Sequence, residues 1–234
     1  MLDSKFWAKY FKVYDVLNSL ITYQELLDAI CDELDIKKGE KILEAGCGTG
    51  NLALKMKERG ADVTGIDNCQ EALGIYLEKD PSAKVFLADL KEKLPFPDNY
   101  FNKIASNNTL YALSGEKQLK TMEELYRILK KEGQILISNP LKNSRPVYIY
   151  FDEIAKGCKR NGFIRTMIRS LKMIKPTVEL IYYNSLIVKE AKNGYFNFFE
   201  IGDQKKMLER ANFRNISNNK IVYSGQAVLN KAAK

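Results

Sequence analysis

Four residues at alternate positions, Glu44, Gly46, Gly48 and Gly50, carry the densest chemical information in this chain. They follow an apolar, β-prone run, Lys41-Ile42-Leu43, and precede Asn51-Leu52, where a helix can open. Glycine tolerates positive φ and lets backbone come close to a ligand. The free N–H groups of the next helix can receive an anionic group. A strand, a glycine turn and a helix in this order describe a nucleotide-type cofactor site at the end of a parallel strand. The spacing narrows the cofactor. A dinucleotide turn, G-x-G-x-x-G, requires glycine at position 51, and Asn51 stands there. That disfavours an NAD-linked oxidoreductase.

Further acids punctuate the chain at strand ends. Asp62-Val63-Thr64-Gly65-Ile66-Asp67 reads as a second strand closed by an acid, with Asn68 after it. An acid roughly 20 residues beyond a glycine turn is placed to accept both ribose hydroxyls. A third strand, Ala83 to Ala88, ends in Asp89-Leu90, and a fourth, Phe101 to Ser106, leads to Asn107. The elements that must position these residues alternate strand with helix up to about residue 140, the pattern of βαβ units.

The order of motifs resembles the class I S-adenosylmethionine (SAM) dependent methyltransferases. Glu-x-Gly-x-Gly-x-Gly matches their first motif. Leu94-Pro95-Phe96-Pro97-Asp98-Asn99-Tyr100-Phe101 is similar to the family's "LPFPDxSFD" connection. Arg127-Ile128-Leu129-Lys130-Lys131-Glu132-Gly133, followed by an apolar strand, is similar to "RVLKPGG". Val13-Tyr14-Asp15-Val16-Leu17-Asn18 resembles the "YDxxN" entry of the ubiquinone/menaquinone and phospholipid methyltransferase group. The resemblance implies an α/β fold: a doubly wound, Rossmann-like, seven-stranded, mostly parallel sheet with an antiparallel last strand. It also implies a helical N-terminal cap and a cap inserted after the fifth strand. The expected organisation is one domain over 1–234. Its parts are an N-terminal cap (1–37), a cofactor-binding core (38–140), a variable substrate cap (141–200) and a C-terminal helix with two strands (201–234).

The same resemblance implies roles for individual residues. Gly46, Gly48 and Gly50 let the methionine part of SAM lie against the turn. Glu44 orients its amino group, Asp67 and Asn68 meet the ribose, and Asp89 with Leu90 takes the adenine. Asn107 borders the methionine moiety. Tyr14, with Trp7 or Tyr10, could cover the sulfonium, because a cation is attracted to an aromatic face; a packed helical cap is the alternative. Many relatives place a histidine after the fourth strand, whereas this chain reads Asn108-Thr109-Leu110-Tyr111 and contains no histidine. An imidazole base is therefore excluded. Tyr111 occupies the interesting position, as catalyst or as wall.

Composition bounds the partners. Four dispersed cysteines and no run of 18 or more apolar residues suit a reduced, soluble cytoplasmic protein. Met1-Leu2-Asp3-Ser4 does not read as a signal peptide. No cluster suggests a metal. The net charge of +8 is nearly all carried between Ile154 and Lys175, which hold seven cations and no acid. There Phe163, Ile164, Met167, Ile168, Leu171 and Ile174 recur at helical spacing, Arg165, Arg169 and Lys172 share the neighbouring face, and Pro176 is expected to end the helix. Three readings stay open: an apolar stripe packed on the domain, a peripheral dock on anionic lipid at the inner face of the membrane, or a nucleic-acid contact. Aromatic residues dominate the rest of the cap. The expected activity is methyl transfer to a small, largely apolar or lipid-like acceptor such as a quinone precursor, phospholipid headgroup or secondary metabolite. An RNA or protein methyltransferase, or a SAM-binding protein without turnover, is the alternative.

Overall fold

The computed structural model describes residues 4–234, so the reading of the chain's first residues, Met1 to Asp3, lies outside the described residues. Seven strands form one sheet: β1 (Lys41–Ala45), β2 (Asp62–Asp67), β3 (Lys84–Leu87), β4 (Phe101–Asn107), β5 (Leu129–Pro140), β6 (Lys220–Val222) and β7 (Ala227–Ala233). Their order is β3-β2-β1-β4-β5-β7-β6, and β7 alone runs antiparallel to its neighbours. The central strands are apolar almost throughout because both their faces are covered, as a parallel sheet requires. Ile42, Leu43, Ile104, Ala105, Ile135 and Ile137 are fully buried.

Helices α1 (Ser4–Tyr14), α2 (Ile21–Leu34), α3 (Asn51–Glu58), α4 (Gln70–Lys79), α5 (Gly115–Ile128), α6 (Val147–Asn161), α7 (Phe163–Ala191) and α8 (Asp203–Arg210) flank the sheet. The chain moves outward from β1 through β2 to β3, then returns to place β4 on the other side of β1. That reversal opens a crevice beyond the carboxyl ends of β1 and β4, where α/β sheets bind ligands. Glu44 and Asn107 stand at those two ends.

Three details differ from expectation. Gly133 does not sit in a turn before the fifth strand. Glu132 adopts a φ of 63° and the pairing register shifts between Phe101 and Lys103, so the irregularity lies inside β5 as a bulge. Pro176 does not end a helix; α7 continues for four turns beyond it. Proline removes one helical hydrogen bond and crowds the preceding turn, but Met173 before it and Leu180 and Ile187 after it pack on the core and hold both halves in line.

The third difference concerns the face of α7. Phe163, Ile164, Ile168, Leu171 and Ile174 are exposed, whereas Thr166 is buried and Arg169 is turned inward. Glu153 on α6 explains the inversion. Its carboxylate is buried, accepts the Thr22 N–H at 3.1 Å, and pairs with Arg169. A buried carboxylate needs a cation, and satisfying it fixes which side of α7 faces in. Gly157 allows the approach, since a Cβ there would stand 2.8 Å from Thr166 Cγ2. Arg169 therefore does not share an outer face with Arg165 and Lys172.

Candidate functional site

The glycine turn is built around the Asp67 carboxylate. Gly48 donates its N–H to one oxygen at 2.8 Å and Cys69 donates to the other at 2.9 Å. The Gly46 and Cys47 N–H groups both reach the Ile66 carbonyl at 2.9 Å. β1 and β2 are thereby tied together where they end, and each Asp67 oxygen keeps a lone pair for a further donor. Burial pushes this carboxyl upward, opposed by those backbone donors. Gly50 holds φ at 79°, and a Cβ there would fall inside the Tyr76 ring. Against Gly48 lies Phe11 of α1, 2.9 Å from where a Cβ would stand. The glycines thus make room for protein rings as well as for a ligand.

Glu44 is buried at the end of β1, and its Oε2 has no hydrogen-bond partner among the described residues. Burial raises its carboxyl well above the usual range, and Asp67 adds to the effect. Asn107, at the end of β4, likewise leaves Oδ1 buried without a partner. Two acceptors lacking donors, flanking one glycine turn, call for a group rich in N–H, and a primary ammonium fits. Asp67 then offers acceptors to a diol. The residues present fit the amino and ribose parts of SAM.

A cavity of about 250 Å³ extends from these acids under the helical cap. Trp7, Tyr10, Phe11 and Tyr14 recur on one side of α1 and line it. Tyr14 reaches the Tyr23 hydroxyl at 3.4 Å, and the Tyr10 hydroxyl donates to Asn184 of α7 at 3.4 Å. Leu180 and Ile187 of α7 complete the roof. Tyr111 forms part of the wall, stacked on Phe198 at 5.1 Å between ring centres. Burial, aided by Tyr14, pushes its phenol well above the ordinary value. At neutral pH the phenol is protonated, and its ring forms part of the cavity wall.

Asn68 lines the same cavity, but Asp89 and Leu90 do not. Asp89 accepts the Lys91 N–H at 3.0 Å and pairs with its ammonium at 2.8 Å, while Leu90 is buried and its carbonyl accepts from Thr121. Other residues enter the site unannounced. Asp15 accepts from Thr49 Oγ1 at 2.7 Å and pairs with Lys79 at 2.6 Å. Asn18 donates to Asn51 Oδ1 at 2.7 Å, and Lys79 donates to the same oxygen at 2.8 Å. This polar clip fastens the cap to the glycine turn. Its signal was present in Tyr14-Asp15-x-x-Asn18, whose side chains divide between cavity and clip.

Residues 43–137 match the model of a methyltransferase domain family. The chain is 29% identical over 150 residues to an uncharacterized methyltransferase of Bacillus licheniformis, covering 62% of this chain and 68% of that one. It is 26% identical to a demethylmenaquinone methyltransferase of Staphylococcus aureus, covering 88% of this chain and 82% of the relative. In three dimensions it resembles a SAM dependent methyltransferase from Aquifex aeolicus, with a TM-score of 0.63 at 17% identity over 100% of this chain and 99% of that one.

Proposed function

Because this chain belongs to the class I SAM-dependent methyltransferases, we propose that its acceptor is a small, largely apolar or lipid-like molecule held under α1 and α7. One observation carries the reading: the cavity that starts at Glu44 and Asn107 continues between aromatic and aliphatic walls, with Tyr10, Tyr111, Leu180, Ile187 and Phe198 among them. Such walls reward apolar area and leave few polar groups to fix orientation. The match to a demethylmenaquinone methyltransferase over most of both chains supports an acceptor of the same general kind.

When bound, SAM supplies a methyl group already activated on a sulfonium. The protein's work is then alignment, which can supply on the order of 7–11 kcal/mol when the reacting atoms are held at near-attack distance. Glu44 and Asn107 hold the ammonium end, and Asp67 with Asn68 holds the ribose. Contact of Asp89 and Leu90 with adenine requires the ligand to extend past Asn68, and Asp89 to exchange its Lys91 partner for the exocyclic amine. Tyr14 and Phe11 line the cavity and would offer aromatic faces to the sulfonium. No imidazole is available, so the proton is taken by a tyrosine or carboxylate or lost by the acceptor itself, with orientation as the main aid.

The test is methyl transfer from labelled SAM into a host-cell extract, partitioned between organic solvent, aqueous small molecules and macromolecules. The expected outcome is label in the organic phase. Label in nuclease- or protease-sensitive material would sink the reading.

A further inference from the structure

Helix α7 turns outward the side chains that a packed helix hides. Ile164, Leu171 and Val178 are 74%, 67% and 58% exposed, and Ile168, Ile174 and Ile181 are each about half exposed. Their spacing advances by threes and fours, which makes one stripe along about 25 Å of helix. α6, in contact with α7 through Gly157, leaves Tyr148 and Phe151 exposed as well. Contiguous apolar surface of this extent marks an interaction site.

The charges near the stripe say what covers it. Of the seven cations between Ile154 and Lys175, three are spent inside the protein: Lys156 and Arg160 on Glu25, and Arg169 on Glu153. Arg165, Lys172 and Lys175 are exposed, with no ion-pair partner among the described residues. Helical rotation places Arg165 and Lys172 along one border of the stripe and Lys175 within it. An apolar stripe bordered by cations is the pattern of a helix lying in the interface of an anionic bilayer. A second copy of this chain fits less well, since between Ile164 and Ile181 the exposed cations Arg165, Lys172 and Lys175 outnumber the single acid, Glu179, and pairing the stripe with itself leaves an excess of like charge. Among the described residues no helix is long and apolar enough to cross a membrane, so the contact is peripheral.

We propose that the outward face of α7 is a docking surface for anionic phospholipid bilayers. Ile164, Leu171 and Val178 dip into the headgroup boundary, and Arg165, Lys172 and Lys175 meet lipid phosphates. The inner face of the same helix carries Leu180, Asn184 and Ile187 in the cavity roof, so docking sets that roof on the bilayer. The surface is independent of which acceptor the cavity takes.

Co-sedimentation of the whole chain with phosphatidylglycerol vesicles, against phosphatidylcholine vesicles, tests the surface. The wild type is expected to pellet with the first and stay in solution with the second. Each cation at an anionic surface is worth about fivefold in affinity, so Arg165→Gln, Lys172→Gln and Lys175→Gln together should weaken binding about a hundredfold. Ile164→Ser with Leu171→Ser should weaken it about tenfold or more, with added salt unable to mimic that loss. SAM affinity, read by calorimetry, should be unchanged in both variants. Absence of wild-type pelleting, equal pelleting of wild type and variants, or a dimer dissolved by the serine variant without any vesicle binding would each overturn the proposal. Absence of SAM binding by the wild type counts against the methyl-transfer reading alone, and the vesicle result stands separately.

Discussion

The glycine turn and the α6–α7 cap solve the same problem, a carboxylate drawn away from bulk water, in opposite ways. In the turn, Asp67 is satisfied by backbone N–H groups of Gly48 and Cys69, so its partners are fixed by chain path. In the cap, Glu153 is satisfied by a side chain sixteen residues further along the chain, Arg169, and by Thr22 of α2. Backbone satisfaction is local and leaves a trace in residue spacing. Side-chain satisfaction is a choice among seven cations, and the choice turns a whole helix around. The contrast teaches that apolar periodicity specifies a helix but not which of its sides faces the core when a buried charge has a prior claim.

The strongest way to break the comparison is to spoil the backbone side of it. Gly50→Ala puts a Cβ into the Tyr76 ring at a φ of 79°. Left-handed backbone without glycine costs about 1–2 kcal/mol, and overpacking a filled core adds about 1–3 kcal/mol. A loss of about 3 kcal/mol in urea unfolding is expected, together with loss of SAM binding. On the side-chain half, Arg169→Met leaves Glu153 buried without its cation. Breaking a buried pair costs about 3–5 kcal/mol; Arg169 is partly exposed, so about 2 kcal/mol is expected. Adding Glu153→Gln, which keeps an acceptor for Thr22, should recover most of it. A double variant as unstable as the single one would mean that the inward turn of α7 has another cause.

These two halves were unequally legible in the sequence. Glu44, the three glycines, Asp67 and Asn107 could be placed at strand ends because an apolar run broken by an acid or glycine marks both the strand and its terminus. The seven-stranded, mostly parallel sheet with its antiparallel last strand followed from a family resemblance. The clip of Asp15, Asn18, Thr49, Asn51 and Lys79 was not read, because it joins three segments far apart in sequence through side chains alone. The face of α7 stayed open, and Arg169 was grouped with Arg165 and Lys172, for the same reason: nothing in residues 161–176 announces that Glu153 will be buried. Pro176 misled because its local penalty is small beside the packing of Leu180 and Ile187.

Glu44 sharpens the comparison, since it is the buried carboxylate at the turn whose Oε2 has no partner within the described protein. Its folded pKa is raised above the unfolded value of about 4.5. The folded state therefore holds this proton more tightly, and the stability tied to Glu44 is greatest below pH 4.5 and declines as pH rises through the raised value. Glu44→Gln should remove that slope, leaving the ligand-free protein at least as stable at neutral pH. A charge-assisted hydrogen bond is worth about 1.5–3 kcal/mol, so SAM affinity should fall about tenfold to a hundredfold. The wild-type affinity should rise with pH as the carboxyl ionises, and the variant's should stay flat. A variant that binds SAM as tightly as the wild type would place the ammonium elsewhere.

Tyr111→Phe is expected to do least, and its smallness is informative. The Tyr111 ring, stacked on Phe198 and close to Phe196, is retained in phenylalanine, and only the hydroxyl is lost. A phenol whose burial pushes it above its ordinary range is un-ionised at neutral pH, so no proton acceptor disappears with it. Turnover should change by less than about fivefold, since at most one neutral hydrogen bond, worth about 1 kcal/mol or less, is at stake. The pH profile of kcat should keep its shape, because the groups that titrate near the acceptor are then Glu44, Asp67 and the acceptor itself. A drop of about a thousandfold with a displaced pH limb would instead make Tyr111 the base. The apolar wall would then have to be reread as a site that lowers a phenol's pKa when SAM brings its positive charge beside it.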